Sequence, residues 1–513
     1  MKTKIVNNLI SFSSLTIISR ILGFVRDMII ARAFGVSIAT DAFFVAFKLP
    51  NMLRRITAEG AFTQAFIPTL SDYKNKSKKE FNAFLNKVVT LLSAILLLIT
   101  LIGVFASPWL IYISAPGFEY GSYQFNLASD LLKITFPYIF LISIVAMFGG
   151  VLNTFGKFAA PAFSPVFLNL SFILAALFLY DYFDEPVTVL AWAVFFGGVV
   201  QLLFQYPFIL KIGWSPKLDF DLSDDGVWKV LKLMGPAIIG VSITQISLLI
   251  NTIFASFLQQ GSVSWLYFAD RLMEFPAGVL GVALSTVFLP ALSSSFSNKK
   301  YEEFNKLMNW SIRIGLLVSI PAAIGVAVLS IPLITTLFYY GKFSELDLVM
   351  THKALFAYSF GLIGLIMIKV FAPVFYSQKN IKTPVRIAVI TLFVTQAMNL
   401  ILIPYFQHVG LALAISVGAT FNAVMLFLSI KKMNDFKIEP TTFIFLIKVI
   451  LSAFAMGVIL YFINPDFQYW VSISFLYRMI LLLALVALGA LVFVSLLFIQ
   501  GVKLNKLSNK DNV

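Results

Sequence analysis

TDAFFVAFKLPNMLRRITAEGAFTQAFIPTLS, residues Thr40 to Ser71, is the stretch whose reading decides the fold. By hydropathy it falls where a second membrane span belongs, yet it carries Asp41, Lys48, Arg54, Arg55 and Glu59, with Pro50 in its middle. A charge at the bilayer centre costs at least about 2.5–3.5 kcal/mol, so five of them cannot all face lipid. They must meet water, one another or a ligand. The stretch therefore reads as a helix that lines a polar cavity inside a bundle, and Pro50 is expected to interrupt it.

The rest of the chain supplies the bundle. Of 513 residues, 59% are hydrophobic and 12% charged, against about 25% charged in soluble domains. Apolar runs near the roughly 20-residue length of a spanning helix recur throughout, which makes the chain an all-α polytopic membrane protein. With no cysteine, a disulfide framework, a thiol nucleophile and a thiolate metal site are excluded. Spans are expected near 8–33, 41–70, 84–113, 128–152, 160–181, 188–210, 230–257, 262–292, 309–338, 353–376, 385–404, 409–430, 441–463 and 471–500, fourteen in all. The N-terminus lacks a cleavable apolar core and reads as a retained first span. The net charge of +14 is an orientation signal rather than a nucleic-acid footprint. Lysines crowd the even-numbered loops and both termini (Lys74, Lys76, Lys78 and Lys79; Lys299 and Lys300; Lys431 and Lys432), whereas the odd-numbered loops hold only Lys342. By the positive-inside rule both termini are expected in the cytoplasm.

There is an internal repeat. FIPTLSDYKNKSKKEFN (Phe66 to Asn82) matches FLPALSSSFSNKKYEEFN (Phe288 to Asn305) at an offset of 222–223, and Pro161 stands opposite Pro384. Six spans separate the copies, so both halves share one orientation, and the interface of such parallel repeats commonly forms the substrate site. Three regions are expected: an N-terminal lobe over 1–215 with six spans, a C-terminal lobe over 216–435 with six more after a cytoplasmic linker, and 436–513 with spans thirteen and fourteen and a cytoplasmic tail.

Charges also enter the first and eighth spans. Arg20 and Asp27 share one face of the first span, which also carries Arg26 and Arg32; Asp270, Arg271 and Glu274 lie in the eighth beside Pro276. Counted with those of span two, the bases exceed the acids by two. Internal salt bridging that lets polar helices pack is one reading. An anionic, phosphate-bearing ligand is favoured over it by the positive excess and by the choice of arginine, whose planar fork suits phosphate. A cation exporter would show the opposite excess. His352 and His408 read as surface or interface histidines. DFDLSDDG (Asp219 to Gly226) reads as a solvated linker, because Val230 replaces the glutamate a calcium loop requires. Arg313, Lys369, Lys448 and Arg478 lie near span ends, where snorkelling suffices. No catalytic residue, metal site or phosphate-cradling loop is found, so the chain reads as a transporter without an ATP site, driven by an ion gradient, the membrane potential or product consumption.

Three segments carry a resemblance: SRILGFVRDMIIARAFG (Ser19 to Gly35), Thr40 to Pro68, and GSVSWLYFADRLMEFPAGVLGVALST (Gly261 to Thr286). They closely resemble the MurJ (MviN) family of lipid II flippases, within the multidrug/oligosaccharidyl-lipid/polysaccharide exporter superfamily, and the similarity runs along nearly the whole chain. The resemblance implies a multi-pass protein of the bacterial cytoplasmic (inner) membrane, with two six-helix lobes around a cationic cavity. It would carry lipid II, the undecaprenyl-pyrophosphate-linked peptidoglycan precursor, from the inner to the outer leaflet for cell wall biogenesis. The family's functional arginines fall on Arg20, Arg26, Arg54 and Arg271, and its acidic position on Asp41. Ser19, Asn51, Arg55, Glu59, Ser264 and Glu274 match other cavity positions. The last two spans would form a groove for the lipid tail. The implied partners are lipid II, membrane lipids and the cell-wall synthesis machinery, with no nucleic acid. No cofactor is implied beyond a coupling ion such as Na+. The alternative is a related exporter of another lipid-linked oligosaccharide or a cationic drug.

Overall fold

The computed structural model describes residues 2–221, 223–432 and 437–502, except for the side chains of 2–14, 16, 17, 58, 59, 239, 282, 283 and 286. Among the described residues every regular element is helical, with no strand. Among these described residues, ten helices are long and apolar enough to cross a membrane, and an eleventh candidate is a pair bent by 45°. The chain divides into two compact units, Met1–Ser264 and Trp265–Val513.

The first unit contains α1 (Lys2–Phe34), α2 (Ile38–Ile56), a π-helical turn (Thr57–Phe62), α3 (Thr63–Lys74), α4 (Lys78–Phe105), α5 (Ser107–Ser114), α6 (Tyr123–Thr135), α7 (Tyr138–Thr154), α8 (Ala159–Phe163), α9 (Pro165–Phe178), α10 (Thr188–Lys211) and α11 (Asp225–Ser256). Gly35, at φ 60°, ends α1 in the left-handed conformation that side chains resist. Two residues on, Ser37 opens α2: its hydroxyl accepts from the Thr40 N–H while the Thr40 hydroxyl accepts from the Ser37 N–H. The expected interruption at Pro50 does not occur. Pro50 lies inside α2, because a single missing N–H frees only one carbonyl, which a bundle can satisfy. The helix deviates seven residues later instead, in the π turn at Thr57–Phe62. Gly60 makes that turn possible, since a Cβ there would stand 2.6 Å from the Arg55 carbonyl and 3.0 Å from Val241 of α11. α11 is itself the bent pair, breaking between Ile238 and Gly240 just beyond Pro236. Aromatic side chains fill the interior: Phe43, Phe66, Phe84, Tyr138, Phe172 and Trp214 are fully buried.

The second unit contains most of α12 (Ser262–Ser297), α13 (Tyr301–Val328), α14 (Ser330–Leu337), α15 (Glu345–Ser377), α16 (Lys382–Phe406), α17 (His408–Lys431), α18 (Pro440–Ile463), α19 (Phe467–Ser472) and α20 (Phe475–Ile499). Pro276 and Pro290 lie inside α12 without ending it, again against the expected interruption at Pro276. Lipid is as apolar as a leucine side chain, so close approach rather than hydrophobicity holds such helices together. α15 meets α17 in this way: a Cβ on Gly364 would come within 2.6 Å of the Ala419 backbone. α18 and α20 pack through Phe445, Val449, Met456, Leu460, Leu482 and Leu485 in one core with Ile320 and Leu329.

The sequence repeat is a repeat of structure. α4 and α13 begin at 78 and 301, both break after 105 and 328, and both resume at 107 and 330. The offset is 223 throughout. In each unit the first turns of this helix also catch the chain leaving a later span. Asn86 of α4 accepts from Trp214 Nε1 and from the Lys217 N–H, and Thr90 accepts from the Asp219 N–H. At the same offset Asn309 of α13 accepts from the Glu439 N–H and donates to the Lys437 carbonyl, while Arg313 pairs with Glu439. The acidic linker is thus docked rather than merely solvated. Lys87 pairs with Asp221 at 2.7 Å, holding that carboxyl well below the usual carboxylate range. Tyr73 donates to Asp224, and burial together with that hydrogen bond pushes its phenol up to about 12.

Candidate functional site

The candidates fall into local groups, and the first is built on Asp41. It lies in the first turn of α2, only 2% exposed. Its Oδ2 accepts from the Gly261 N–H at 2.7 Å; its Oδ1 accepts from the Ser264 N–H at 2.9 Å and from the Ser264 hydroxyl at 2.5 Å. Ser264 also reaches the Thr40 hydroxyl at 3.2 Å. These N–H groups belong to the start of α12, where the helix leaves its first donors without intrahelical partners. The carboxylate satisfies them and complements the positive end of the helix dipole. Asp41 and Ser264 are therefore brought together, with both carboxylate oxygens of Asp41 engaged.

Arg26 anchors the second group. Its Nε and Nη2 lie 2.9 and 2.7 Å from Asp27 Oδ1, its Nη1 donates to Asn169 Oδ1 at 3.1 Å, and its guanidinium sits 5.3 Å from the centre of the Phe172 ring. Asn169 in turn donates to the Ser19 carbonyl at 3.0 Å. In the third group Asn51 accepts from both Nε and Nη2 of Arg54, at 3.1 and 2.9 Å. A neutral amide aims that fork without adding charge. Arg20 and Arg55 are half-buried. The side chain of Glu59 lies outside the described residues.

The fourth group is in the second unit. Arg271 donates to Glu274 at 2.9 Å and stands 4.9 Å from the centre of the Tyr267 ring, so one face of α12 carries ring, cation and acid in successive turns. Nearby, Lys369 of α15 donates to the Ala277 carbonyl at 3.0 Å, its stem running where a Cβ on Gly281 would clash at 2.4 Å.

The four cations read as snorkelling bind protein instead. Besides Lys369, Arg313 engages Glu439, Thr441 and Thr442, and Lys448 donates to the Gln500 carbonyl at 2.6 Å. Arg478, 5% exposed, donates to the carbonyls of Ile473, Thr335, Tyr339 and Val471. A bundle offers them nearer carbonyls than the water interface does. His408 is likewise buried, 3.0 Å from the Met350 carbonyl and ring to ring with Trp265. Sequence reasoning missed Asn169 and Phe172, since a lone asparagine in an apolar run has no periodic signature.

What such a set of arginines and helix caps belongs to is decided by comparison. The family model described as lipid II flippase MurJ matches residues 30–481. The chain belongs to the MurJ family. A lipid II flippase MurJ of Burkholderia cenocepacia is 40% identical over 502 residues, covering 96% of this chain and 97% of that one. A protein of Buchnera aphidicola subsp. Schizaphis graminum, named a probable lipid II flippase MurJ, is 44% identical over 513 residues and 99% of both chains. Among solved structures, a lipid II flippase MurJ in an inward closed conformation superposes with a TM-score of 0.81 at 28% identity, covering 95% of this chain and 98% of that one. An inward-facing multidrug resistance MATE family transporter of the MOP superfamily reaches 0.65 at 14% identity over 83% of this chain, a likeness of fold alone. MurJ membership accounts for the multi-pass helical architecture and marks the chain as a transporter rather than a catalyst.

Proposed function

We infer that this chain is a lipid II flippase, and that Arg20, Arg26, Arg54 and Arg271 bind the pyrophosphate of its substrate. The observation that carries the first part is the end-to-end match to MurJ proteins, at 40% and 44% identity with nearly complete coverage of both partners. The second part is supported by the chemistry of the groups: three of the four arginines are aimed by a neighbour on the same helix or across it, and a guanidinium fork presents paired donors to a phosphate.

The finer topology belongs to this reading. Beyond the eleven apolar candidates, the long helical stretches that carry charge are α1, α2 with the π turn and α3, and α12. Their charges are those expected of helices that face a cavity. Counting them gives fourteen spans, with both termini cytoplasmic by loop charge. The lobes are assigned to 1–215 and 216–435, with 436–513 holding the lipid-tail groove, in the bacterial inner membrane. Arg55, Glu59, Ser19, Asn51 and Glu274 complete the proposed substrate-binding set, and Asp41 and Ser264 serve it from behind by holding the start of α12. Acids such as Asp27 and Glu274 hold the arginines when substrate is absent and exchange with phosphate as alternating access proceeds, which supplies the differential contacts a ligand-driven change requires. A membrane potential contributes about 2.3 kcal/mol per charge per 100 mV, enough to drive the cycle without ATP.

The test is a rescue. Cells depleted of the native protein receive wild type or Arg271→Ala, and lipid II reachable by an external lipid II-cleaving toxin is measured. Wild type is expected to restore cleavage, and Arg271→Ala, present in the membrane at the same level, to fail. Full cleavage with the variant removes Arg271 from the site. Undiminished cleavage on depletion refutes the assignment as the cell's flippase and favours another lipid-linked oligosaccharide or a cationic drug as cargo.

A further inference from the structure

Asn169 is buried in α9, 7% exposed, and its amide bridges two points on α1. The Nδ2 donates to the Ser19 carbonyl at 3.0 Å, and the Oδ1 accepts from Arg26 Nη1 at 3.1 Å. Those partners fix the amide's orientation, because a carbonyl can meet only the NH2 end and a guanidinium only the oxygen. Ser19 and Arg26 are seven residues apart, two turns along one face of α1. A side chain must therefore carry a donor and an acceptor at one distance from the backbone to serve both. Leucine would serve neither, and aspartate would set an oxygen against the Ser19 carbonyl.

The same helix holds Arg26 a second way. Phe172, one turn beyond Asn169, lies 5.3 Å from the guanidinium, so α9 supplies both a ring for its face and an acceptor for its Nη1. Its other edge, Nε with Nη2, meets Asp27. These contacts divide the guanidinium into an edge held by a carboxylate on its own helix and a corner held by a neutral amide on another. A phosphate oxygen can replace that carboxylate oxygen at the first edge, where Nε and Nη2 converge on one acceptor, while the amide keeps the plane of the group fixed throughout.

We propose that Asn169 is a positioning residue for pyrophosphate recognition, holding Arg26 in the orientation in which its Nε/Nη2 edge passes from Asp27 to the substrate. The proposal rests on the flippase reading and on Arg26 as a ligand. Preorganisation of this kind lowers the cost of binding without adding a contact to the substrate.

The experiment is a double-mutant cycle on the full-length chain in lipid nanodiscs, with purified lipid II as the probe. Wild type, Asn169→Leu, Arg26→Ala and the double variant are compared for lipid II Kd, for translocation rate at saturating lipid II after reconstitution, and for melting temperature. Asn169→Leu is expected to raise Kd about ten-fold, the size of one hydrogen bond to a charged group, and to leave the saturated rate within about two-fold. In the Arg26→Ala background it is expected to change Kd no further. Asn169→Asp keeps the side-chain size if leucine disturbs folding; it places a second carboxylate beside Arg26, so it too should weaken binding, and only when Arg26 is present. Additive penalties, or an unchanged Kd in folded Asn169→Leu, overturn the positioning role. Wild-type binding by Arg26→Ala overturns it as well. Failure of wild type to bind lipid II would sink the flippase reading with it, an outcome distinguishable from both.

Discussion

Replacing Asp41 by asparagine changes no heavy-atom count and tests the cap on α12 directly. In the native arrangement three donors converge on the carboxylate: Gly261 N–H on Oδ2, Ser264 N–H and Ser264 Oγ on Oδ1. An amide has one oxygen. Whichever way it turns, its NH2 must face a backbone N–H, so one buried donor loses its partner, at a cost of about 1–3 kcal/mol. Removing the negative charge from a helix N-terminus adds up to about 2 kcal/mol in a buried setting. The sum is about 1–5 kcal/mol. Ser264→Ala removes one hydroxyl donor and leaves the backbone donors satisfied, so it should cost about 1–2 kcal/mol. Asp41→Ala removes every acceptor and should cost most. Melting of the purified chain in detergent, followed by tryptophan fluorescence, would rank these as Asp41→Ala worst, Asp41→Asn next and Ser264→Ala least. If Asp41→Asn melts with wild type, or Ser264→Ala proves worse than Asp41→Asn, the cap contributes nothing measurable and the argument from unsatisfied donors fails.

Two further outcomes follow from groups outside the arginine set. The phenol of Tyr73, raised from 10.0 to about 12 by burial and the Asp224 hydrogen bond, is held protonated more tightly when folded than when unfolded. Its stabilisation is therefore complete below about pH 10 and lost as pH rises through about 12. Wild type should melt above Tyr73→Phe at pH 8, the gap should close between pH 10 and 12, and a gap constant with pH would refute the assignment. Arg478 donates to four backbone carbonyls from the ends of α14 and α19, so Arg478→Met should cost about 3 kcal/mol or more and expose residues 464–474 to protease. Lysine, with no planar fork, should rescue little; protection at the wild-type level in Arg478→Met would show that apolar packing alone holds this hairpin.

What the sequence could and could not disclose follows from the range of each physical signal. Hydropathy is local and repeats within each helix, so the helical bundle and its apolar helices were readable, as was the repeat, whose 223-residue offset reappears in the shared break between α4 and α5 and between α13 and α14. The charges of α1, α2 and α12 were legible because a cation in an apolar window is improbable without a purpose. Their partners were not, because partners are set by tertiary contact. Nothing in VFLNLSF marks Asn169 as the acceptor for Arg26, 143 residues away. Nothing near Asp41 announces that its donors lie 220 and 223 residues on. Proline misled for the same reason. Its local rule predicts a break at Pro50, yet the helix runs on and shifts to π geometry over Thr57–Phe62, where a Cβ on Gly60 would stand 2.6 Å from the Arg55 carbonyl and 3.0 Å from Val241 of α11. The deviation falls at the glycine that lets the chain close on the Arg55 carbonyl with α11 alongside, not at the residue that lacks an N–H. The deviation begins two residues beyond Arg55, so a substitution at Gly60, whose Cβ would meet the Arg55 carbonyl, should disturb the backbone beneath Arg54 and Arg55 more than a substitution at Pro50.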